Sequence, residues 1–393
     1  MSQTVRTRPE GSTQALSEAY DTALLDLDGV VYAGGNAIAH AVESLGTARA
    51  GGMHLAYVTN NALRTPDAVA DHLTELGIPT GPSDVITSAQ AVARLISEQV
   101  PAGARVLVIG GEGLRVALRE RGLEPVDSAE DDPAAVVQGY GGPELPWGRF
   151  AEASYAIARG VPWFASNTDL TIPSARGIAP GNGAAVEVVR IATGAEPQVA
   201  GKPLPPMHRE TILRTGAERP LVVGDRLDTD IEGAFNGEVD SLLVLTGVTD
   251  GAQLLAAPPR HRPTYVDADL RGLLTGQPEV VEAGDGFRCG GWTATAGSER
   301  LELAGEGEAM DGLRALCAAA WTAAGEGSCE LDGGRRWRGW GFEAAVSAWK
   351  RTRLPGESSS RTGATPAGGF TGSGAEGLHG CGVVRRDRVP QRG

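Results

Sequence analysis

Residues Thr22 to Tyr32 read TALLDLDGVVY, an apolar run that ends in two carboxylates and a glycine. Such a run is typical of a buried strand of a parallel sheet whose carboxyl end opens into a reaction site. Because side chains alternate along a strand, Asp26 and Asp28 lie on the same side of it. Neighbouring carboxylates repel each other unless a cation lies between them or one of them stays protonated. The stretch therefore predicts either a magnesium site with hard oxygen ligands or a plain strand end with an Asp-Gly turn.

The composition sets the broad class of the protein. A chain of 393 residues is long enough for two or three domains with sizeable cores. No apolar run reaches the roughly 20 residues that cross a bilayer, and residues 1–19 lack the apolar segment of a secretory signal. We therefore expect a cytoplasmic protein with no membrane partner. The net charge of −14 argues against nucleic acid as the main partner, and the four cysteines have neither zinc-site nor disulfide-framework spacing.

Cationic residues are unevenly distributed. Residues 335–393 hold eleven Arg or Lys against four Asp or Glu, a local charge of +7, so residues 1–334 carry −21. Lysine occurs only as Lys202 and Lys350, and the other residues of the Lys and Arg total are all arginines. Lys202 is therefore a candidate for a role that needs a compact ammonium group.

The first part of the chain alternates between strand and helix patterns. After the opening strand, an amphipathic helix is predicted over residues 36–51. A second apolar strand, His54 to Val58, ends in the polar segment Thr-Asn-Asn at residues 59–61. In open parallel sheets, ligands bind at this carboxyl edge. A further helix is predicted over residues 66–76, with Thr65 as its N-cap.

Residues 84–198 contain a second α/β pattern that is long enough to be a domain inserted into the first. Within it, residues 110–113 read GGEG between a strand and a helix, like a dinucleotide-binding turn. The full Gly-x-Gly-x-x-Gly pattern is missing, so a tight turn is the favoured interpretation. The polar loops 167–169 and 180–183 either contact substrate or serve as caps and turns.

The parallel pattern then resumes, with strands near residues 220–223, 241–245 and 264–266. The predicted fold is an α/β protein with a doubly wound parallel-sheet core, an inserted α/β cap domain and a small C-terminal α+β appendage. The predicted segments are an N-terminal arm (1–19), the first part of the core (20–83), the cap (84–198), the second part of the core (199–275), the appendage (280–325) and a tail (331–393). In the appendage, two strands over 287–295 and 300–304, the first with a kink at residues 290–291, precede a helical stripe.

Four signals stand in a fixed order, each at a strand end or a helix start. They are Asp26-x-Asp28-Gly29-Val30, Thr59-Asn60, Gly201-Lys202-Pro203 and Gly224-Asp225-x-x-x-Thr229-Asp230. With a cap-sized insertion between the second and the third signal, this order resembles the haloacid dehalogenase-like phosphatases of class IIA, over about residues 20–270. That group includes nitrophenyl phosphatases, phosphoglycolate phosphatases and bacterial glycerol-3-phosphate phosphatases.

The resemblance implies a magnesium-dependent hydrolysis of phosphate monoesters through an aspartyl-phosphate. Asp26 would attack phosphorus, and Asp28 would protonate the leaving alkoxide and later take a proton from the attacking water. The carboxylates of Asp26 and Asp225 and the backbone carbonyl of Asp28 would hold Mg²⁺, with Asp230 as an orienting group outside the ligand set. Lys202 would neutralise both the nucleophile and the phosphate.

The resemblance also implies the substrate contacts. Thr59, which we include among the catalytic residues, and the neighbouring backbone N–H groups would bind phosphate oxygens. The expected substrate-binding residues are Gly29, Thr59, Asn60, Asn61 and Lys202 in the core, with Thr168 and Asn182 in the cap loops. Plainer alternatives remain: Thr59, Asp228 or Asp230 as helix caps, and Asn60 and Asn61 as turn formers.

The same residues discriminate within the superfamily. Asp28 argues against the dehalogenase branch, and the absence of lysine from the cap argues against phosphonatases. A cap of about 115 residues that closes over the metal should admit small phosphorylated metabolites and exclude proteins. Homo-oligomerisation through the cap is left open.

The C-terminal appendage resembles the small acetyltransferase-like half domain that some bacterial glycerol-3-phosphate phosphatases carry. This favours glycerol 3-phosphate as the substrate, with 2-phosphoglycolate or another small phosphometabolite as the alternative. An alternative of another class is a non-catalytic phosphometabolite-binding or regulatory protein on the same fold. The intact aspartates and Lys202 argue against it.

Residues 331–393 contain no isoleucine, three leucines and many Gly, Ser and Arg residues. Such a composition predicts a disordered tail that is dispensable for catalysis, because it cannot bury enough apolar surface to offset the entropy of ordering. Two origins stay open for this tail: an altered reading frame of a high-GC gene, or a functional basic arm for nucleic acid or an acidic partner.

Overall fold

The computed structural model describes residues 5–174, 176–297 and 301–325. The tail predicted from residue 331 onward lies outside these described residues. None of the described helices has the length and apolar character that crossing a bilayer requires.

The core sheet has six strands, and every neighbouring pair of them is parallel. In spatial order the strands are Tyr265–Asp267, Asp240–Val244, Pro220–Gly224, Thr22–Leu25, His54–Thr59 and Val85–Thr87. The central strand Thr22–Leu25 is buried at all four positions. This explains its uninterrupted apolar sequence, since helices cover both faces of such a sheet. The strand Val85–Thr87 pairs with the core sheet although it follows the boundary predicted at residue 84.

Helices pack on both faces of the core sheet. The α-helices of this part are Leu16–Ala19, Ala41–Ala50, Pro66–Glu75, Ser88–Ser97, Pro205–Thr215, Glu232–Asn236 and Gly251–Leu255, and the short 3₁₀ segments are Pro82–Asp84, Pro259–His261 and Leu270–Leu274. The predicted N-cap is confirmed, because the Thr65 side chain accepts a hydrogen bond from the backbone N–H of Ala68. The predicted start at residue 36 is wrong. Residues 36–37 pair instead with residues 32–33 in a small hairpin, whose turn uses two glycines at positive φ.

The cap sheet is also parallel and has five strands. In spatial order they are Gln198–Val199, Trp163–Ala165, Ala135–Gln138, Arg105–Ile109 and Glu124–Val126. The cap helices are Glu112–Glu120, Gly148–Ala158 and Asn182–Thr193, with a 3₁₀ turn at Ala129–Asp131. A separate antiparallel hairpin joins Thr171–Ser174 and Gly177–Pro180. The edge strands Gln198–Val199 and Glu124–Val126 were not predicted, because two or three residues are too few for a periodic signal.

The glycine-rich turn at residues 110–113 packs against residues 62–64 of the core. The backbone N–H of Gly113 donates a hydrogen bond to the carbonyl of Leu63 at 3.0 Å. A Cβ atom on Gly113 would lie 2.5 Å from the carbonyl oxygen of Arg64. The glycines therefore permit a close approach of cap and core backbones, in agreement with the tight-turn interpretation.

The C-terminal part is an antiparallel sheet covered by one long helix. Its strands are Val281–Ala283, Gly286–Cys289, Trp292–Ala296 and Leu301–Gly305, and its helix is Ala309–Ala324. The kink predicted at residues 290–291 is a turn that divides the predicted strand 287–295 into two strands, and φ at Gly290 is +52°. Trp321 of the helix belongs to the same buried apolar cluster as Leu254 and Val266 of the core. The appendage and the core thus share one hydrophobic cluster.

Candidate active site

A cavity of about 300 Å³ opens at the carboxyl edge of the core sheet. Nine of the predicted site residues line it: Asp26, Asp28, Gly29, Thr59, Asn60, Asn61, Asn182, Lys202 and Asp225. Asp230 lies just behind the cavity, and Thr168 is exposed on the cap and is not among the described lining residues. Five segments that are distant in sequence therefore meet at the cavity, and three of them follow neighbouring parallel strands of the core sheet.

Lys202 lies at the centre of the site. Its Nζ atom donates hydrogen bonds to Asp26, to Oδ1 of Asp230 at 2.8 Å and to the carbonyl of Val58 at 3.1 Å. Burial alone would lower the pKa of this ammonium group, but the charges of Asp230 and Asp26 outweigh burial and raise it above its ordinary value. Lys202 is therefore a fixed positive charge beside the Asp26 carboxylate.

Three carboxylates, those of Asp26, Asp225 and Asp230, place oxygen atoms within 4.8 Å of one another. Burial raises the pKa of Asp26 well above its ordinary range, although Lys202 opposes this. Burial and the charge of Asp230 raise the pKa of Asp225 to about 6. One ammonium group does not neutralise three carboxylates, so the cluster favours either a further cation or a proton retained on one carboxyl group.

Asp225 fits the role of a metal ligand. It is fully buried, and its Oδ2 atom accepts a hydrogen bond from the backbone N–H of Val248 at 2.6 Å. Its Oδ1 atom is buried and has no hydrogen-bond partner among the described atoms. A buried carboxylate oxygen without a donor is costly unless a cation binds it, and hard divalent cations prefer such oxygens.

Two glycines make room for this carboxylate. A Cβ atom on Gly29 would lie 2.5 Å from Asp225 Oδ2, and φ at Gly29 is +91°, a conformation that favours glycine. A Cβ atom on Gly247 would lie 1.9 Å from the same oxygen. Thr246 ties the two segments together, because its hydroxyl donates to the carbonyl of Gly29 at 2.5 Å. Sequence reasoning missed residues 246 and 247, and nothing in the sequence distinguishes Gly247 among 56 glycines.

Asp28 lines the cavity and is exposed. The protein around the cleft desolvates the carboxylate and raises its pKa, while the positive charge of Arg64 opposes this shift. This shift is in the direction that favours a general acid.

The segment that follows the second core strand forms a tight turn. The hydroxyl oxygen of Thr59 accepts a hydrogen bond from the backbone N–H of Asn61 at 3.0 Å. The Asn61 side chain in turn accepts from the backbone N–H of Leu63 at 2.9 Å. Thr59 caps no helix, because the next helix is capped by Thr65. The side chain of Asn61 does form a turn, and Thr59 is buried at the cavity wall.

Asn60 joins three parts of the chain. Its Oδ1 atom accepts from the backbone N–H of Lys202 at 2.8 Å, and its Nδ2 group donates to the Lys202 carbonyl at 3.2 Å. The same Nδ2 group donates to Asp169 of the cap at 3.2 Å. Both amide donors of Asn60 are thus engaged within the protein.

The cap contributes a wall of polar groups. Asn182 is 2% exposed, its Nδ2 group donates to the Asn167 carbonyl at 2.7 Å, and its Oδ1 atom has no partner among the described atoms. Asp169, next to Thr168 in the predicted loop, lines the cavity. From the core side, Arg226 also lines it and pairs with Asp228 at 3.0 and 2.8 Å. Asp169 was predicted only as part of the loop 167–169, and Arg226 was not predicted as a site residue.

Comparisons with protein families agree with this arrangement. A model described as haloacid dehalogenase-like hydrolase matches residues 23–124, and one described as HAD-hydrolase-like matches residues 199–273. A GCN5-related N-acetyltransferase-like domain model matches residues 289–342. The two hydrolase matches flank most of the cap and contain the core strands that carry the site.

Individual relatives match over most of their length. The D-glycerol 3-phosphate phosphatase of Mycobacterium tuberculosis is 42% identical over 319 residues, which cover 79% of this chain and 88% of the relative. The acid sugar phosphatase of Staphylococcus aureus is 37% identical over 259 residues, which cover 65% of this chain and 97% of the relative. The crystal structure of glycerol phosphate phosphatase from Mycobacterium tuberculosis in complex with magnesium has a TM-score of 0.76 and 39% identity, and the match covers 86% of this chain and 99% of that one.

Proposed function

Because the chain belongs to the haloacid dehalogenase-like hydrolases, among the class IIA phosphatases, we propose that it hydrolyses glycerol 3-phosphate through a phosphorylated Asp26. The protein is a phosphatase that acts on small phosphate monoesters. The observation that carries the proposal is the contact of Lys202 with Asp26 beside the unpartnered oxygen of Asp225. The 42% identity to a D-glycerol 3-phosphate phosphatase supports the substrate.

Magnesium is the proposed cofactor. The carboxylates of Asp26 and Asp225 and the backbone carbonyl of Asp28 would hold it, in a site that already has the hard oxygen donors Mg²⁺ prefers. When bound, the ion would screen the negative charge of the phosphate from the anionic nucleophile.

The protein side chains divide the reaction into two steps. In the first, a carboxylate oxygen of Asp26 bonds to phosphorus, the bond from phosphorus to the leaving oxygen breaks, and Asp28 gives that oxygen a proton. In the second, Asp28 takes a proton from water, the water oxygen bonds to phosphorus, and the bond to Asp26 breaks to release inorganic phosphate. Lys202 and Thr59 would bind the phosphate oxygens throughout.

The shape of the cavity supports a small substrate. Its volume of about 300 Å³ lies at the small end of the range for ligand pockets. The cap wall with Asn182 lines this cavity together with the core residues. We propose that this wall, rather than the core, discriminates between leaving groups.

The test is a Mg²⁺-dependent assay with glycerol 3-phosphate, 2-phosphoglycolate and nitrophenyl phosphate. Asp26→Asn keeps the shape of the nucleophile and should lower kcat on the order of 10⁴-fold with all three substrates. Asp132→Asn is the matched control, because this cap aspartate is 96% exposed and has φ +53°, which asparagine tolerates. Near-normal turnover by Asp26→Asn would refute the covalent mechanism. A preference for 2-phosphoglycolate would refute the substrate assignment alone.

The role of the cap wall is tested with the same panel. Asn182→Ala should change the relative rates among the substrates more than it changes the Mg²⁺ requirement, because the proposed metal ligands lie only in the core. Thr168→Ala tests the other predicted contact at an exposed position. Unchanged relative rates in Asn182→Ala would remove this residue from the specificity site.

A further inference from the structure

The backbone of Gly201 and Lys202 passes through a narrow gap between the core and the cap. A Cβ atom on Gly201 would lie 2.5 Å from the carbonyl oxygen of Ser166 in the cap and 2.6 Å from Oδ1 of Asn60 in the core. Only glycine leaves room for this passage. The backbone next to Lys202 is therefore confined by the cap on one side and by the core on the other.

Asn60 holds this segment by hydrogen bonds. Its amide oxygen accepts from the Lys202 N–H at 2.8 Å, and its amide nitrogen donates to the Lys202 carbonyl at 3.2 Å. The orientation of the amide is determined by its neighbours. A flipped amide would place its N–H groups against the Lys202 N–H and its oxygen against the Asp169 carboxylate, and both contacts would be repulsive.

The cap in turn holds Asn60. Both carboxylate oxygens of Asp169 lie within reach of the Asn60 Nδ2 group, at 3.3 and 3.2 Å. The Asn167 side chain donates to the backbone carbonyl of Asn60 at 2.6 Å, and its own Oδ1 accepts from the Asp169 N–H at 3.2 Å. A continuous chain of hydrogen bonds therefore runs from the cap loop through Asn60 to Lys202.

We propose that Asp169 and Asn60 are positioning residues that hold Lys202 against Asp26, so that the cap loop acts on the chemical step and not only on substrate recognition. This inference rests on the proposed phosphatase function. We call the pair Asn60 and Asp169 the cap–core latch. Its rival is a direct contact of Asp169 with the leaving group, since this carboxylate also lines the cavity.

The two roles predict different kinetics. Loss of the latch would move the Lys202 ammonium away from Asp26 and from the phosphate group that all the substrates share. Asp169→Ala should therefore lower kcat about tenfold with all three phosphate esters. KM and the relative rates should stay within about twofold. Asp169→Asn keeps an acceptor oxygen in the same place and should retain turnover within about threefold of the original protein. A direct contact would instead change KM or kcat for some substrates and not for others, and that result would overturn the proposal.

An exchange of the two side chains gives a second test. Asn60→Asp places a carboxylate opposite Asp169 and removes both amide donors, so kcat should fall about a hundredfold. In the double variant with Asp169→Asn, the amide at position 169 donates to the carboxylate at position 60, so the donor and the acceptor have exchanged places. This double variant should recover about tenfold of the lost kcat. No recovery in the double variant would show that the two residues act independently and would contradict the latch.

A readout without turnover separates this inference from the proposed function. Hydrogen–deuterium exchange reports on the Lys202 amide, whose N–H is bonded to Asn60. Its protection should fall by about tenfold in Asn60→Ala and in Asp169→Ala and stay unchanged in the control Asp132→Asn. If the unmodified protein hydrolysed none of the esters, the proposed function would be wrong. The exchange data would still show whether Asn60 and Asp169 hold the Lys202 backbone in place. Unchanged protection in both variants would overturn the latch even in an active enzyme.

Discussion

Lys202 Nζ donates a hydrogen bond to Asp230 Oδ1 at 2.8 Å, and the Asp230 side chain is 1% exposed. The second oxygen of Asp230 accepts from the backbone N–H of Arg226 at 3.2 Å. Both oxygens of this carboxylate therefore have donors, whereas Oδ1 of Asp225 has none among the described atoms. This difference supports the proposal that Asp225 is a metal ligand and that Asp230 orients Lys202.

The first prediction concerns the Lys202 ammonium group. Lys202→Met should lower kcat by about 10²- to 10³-fold, because it removes a preorganised positive charge and leaves two buried carboxylates without their partner. Lys202→Arg should not restore the rate, since a planar guanidinium cannot direct hydrogen bonds to Asp26, Asp230 and the Val58 carbonyl at once. Steady-state rates on nitrophenyl phosphate check both variants.

Arg209→Met is the control for the loss of one positive charge, because Arg209 is 60% exposed on the surface. It should leave kcat within about twofold, as expected for an exposed ion pair. A near-normal kcat in Lys202→Met would contradict the assigned role of the ammonium.

The second prediction links pH, magnesium and stability through Asp225. In the metal-free protein, burial and then the charge of Asp230 raise its pKa from 3.8 to about 6. The folded state then binds more protons than the unfolded state between these values, so the free energy of unfolding falls as pH rises from about 4 to about 6. The contribution of this group is on the order of 3 kcal/mol. A bound cation offsets the loss above pH 6, where the carboxylate is charged.

Thermal unfolding with and without Mg²⁺ measures how the stabilisation by the ion depends on pH. The increase in Tm on adding Mg²⁺ should be larger at pH 7.5 than at pH 5, because protons compete with the ion for Asp225. Asp225→Asn should lose most of the increase, and the control Asp132→Asn should keep it. An equal increase at both pH values would contradict the assignment of Asp225 as a ligand.

Sequence patterns predicted where the active site lies in the fold, but they did not predict the contacts between its side chains. The segments around Asp26, Thr59, Lys202 and Asp225 were predicted to lie at strand ends or at a helix start, and parallel strands bring their carboxyl ends to one edge of the sheet. Predicting that these segments meet requires only the order of strands and helices along the chain. It requires no knowledge of contacts between side chains.

The contacts themselves depend on packing that no local pattern encodes. Asp169 and Asn60 are 109 residues apart in sequence and meet only because the cap folds back on the core. Gly247 looks like any loop glycine until Asp225 is placed beside it. The expectation that Asn60 is either a substrate contact or a turn former did not include its hydrogen bonds to both sides of the Lys202 peptide. These features become visible only when the tertiary structure is known.

The third prediction tests Gly247 directly. Gly247→Ala would place a Cβ atom 1.9 Å from Asp225 Oδ2, an oxygen that the Val248 N–H holds in position. The carboxylate must shift, so the Mg²⁺ concentration for half-maximal activity should rise about tenfold or more. Titration of activity with Mg²⁺ measures this concentration.

Gly46→Ala is the control, because Gly46 is exposed in the helix Ala41–Ala50 with no atom within 4 Å of the added Cβ. It should be neutral or stabilise the protein by about 0.5–1 kcal/mol, and an equal Mg²⁺ requirement in both variants would contradict the predicted clash.

The last prediction concerns the junction of the C-terminal appendage with the core. Trp321 is fully buried, and its indole N–H donates to the carbonyl of Leu254 at 3.0 Å. The guanidinium of Arg262 lies 5.7 Å from the centre of its ring. Trp321→Ala should lower the free energy of unfolding by about 3–5 kcal/mol through the cavity it leaves.

Because Trp321 does not line the active-site cavity, KM for glycerol 3-phosphate should stay within about twofold while Tm falls. Trp147→Ala is the matched control, since this tryptophan is 71% exposed on the cap, and it should change Tm little. If the appendage folded independently of the core, denaturation of Trp321→Ala would proceed in two separate transitions, with only the first shifted to lower denaturant concentration. A single shifted transition is expected instead, because one apolar cluster contains Leu254, Val266 and Trp321.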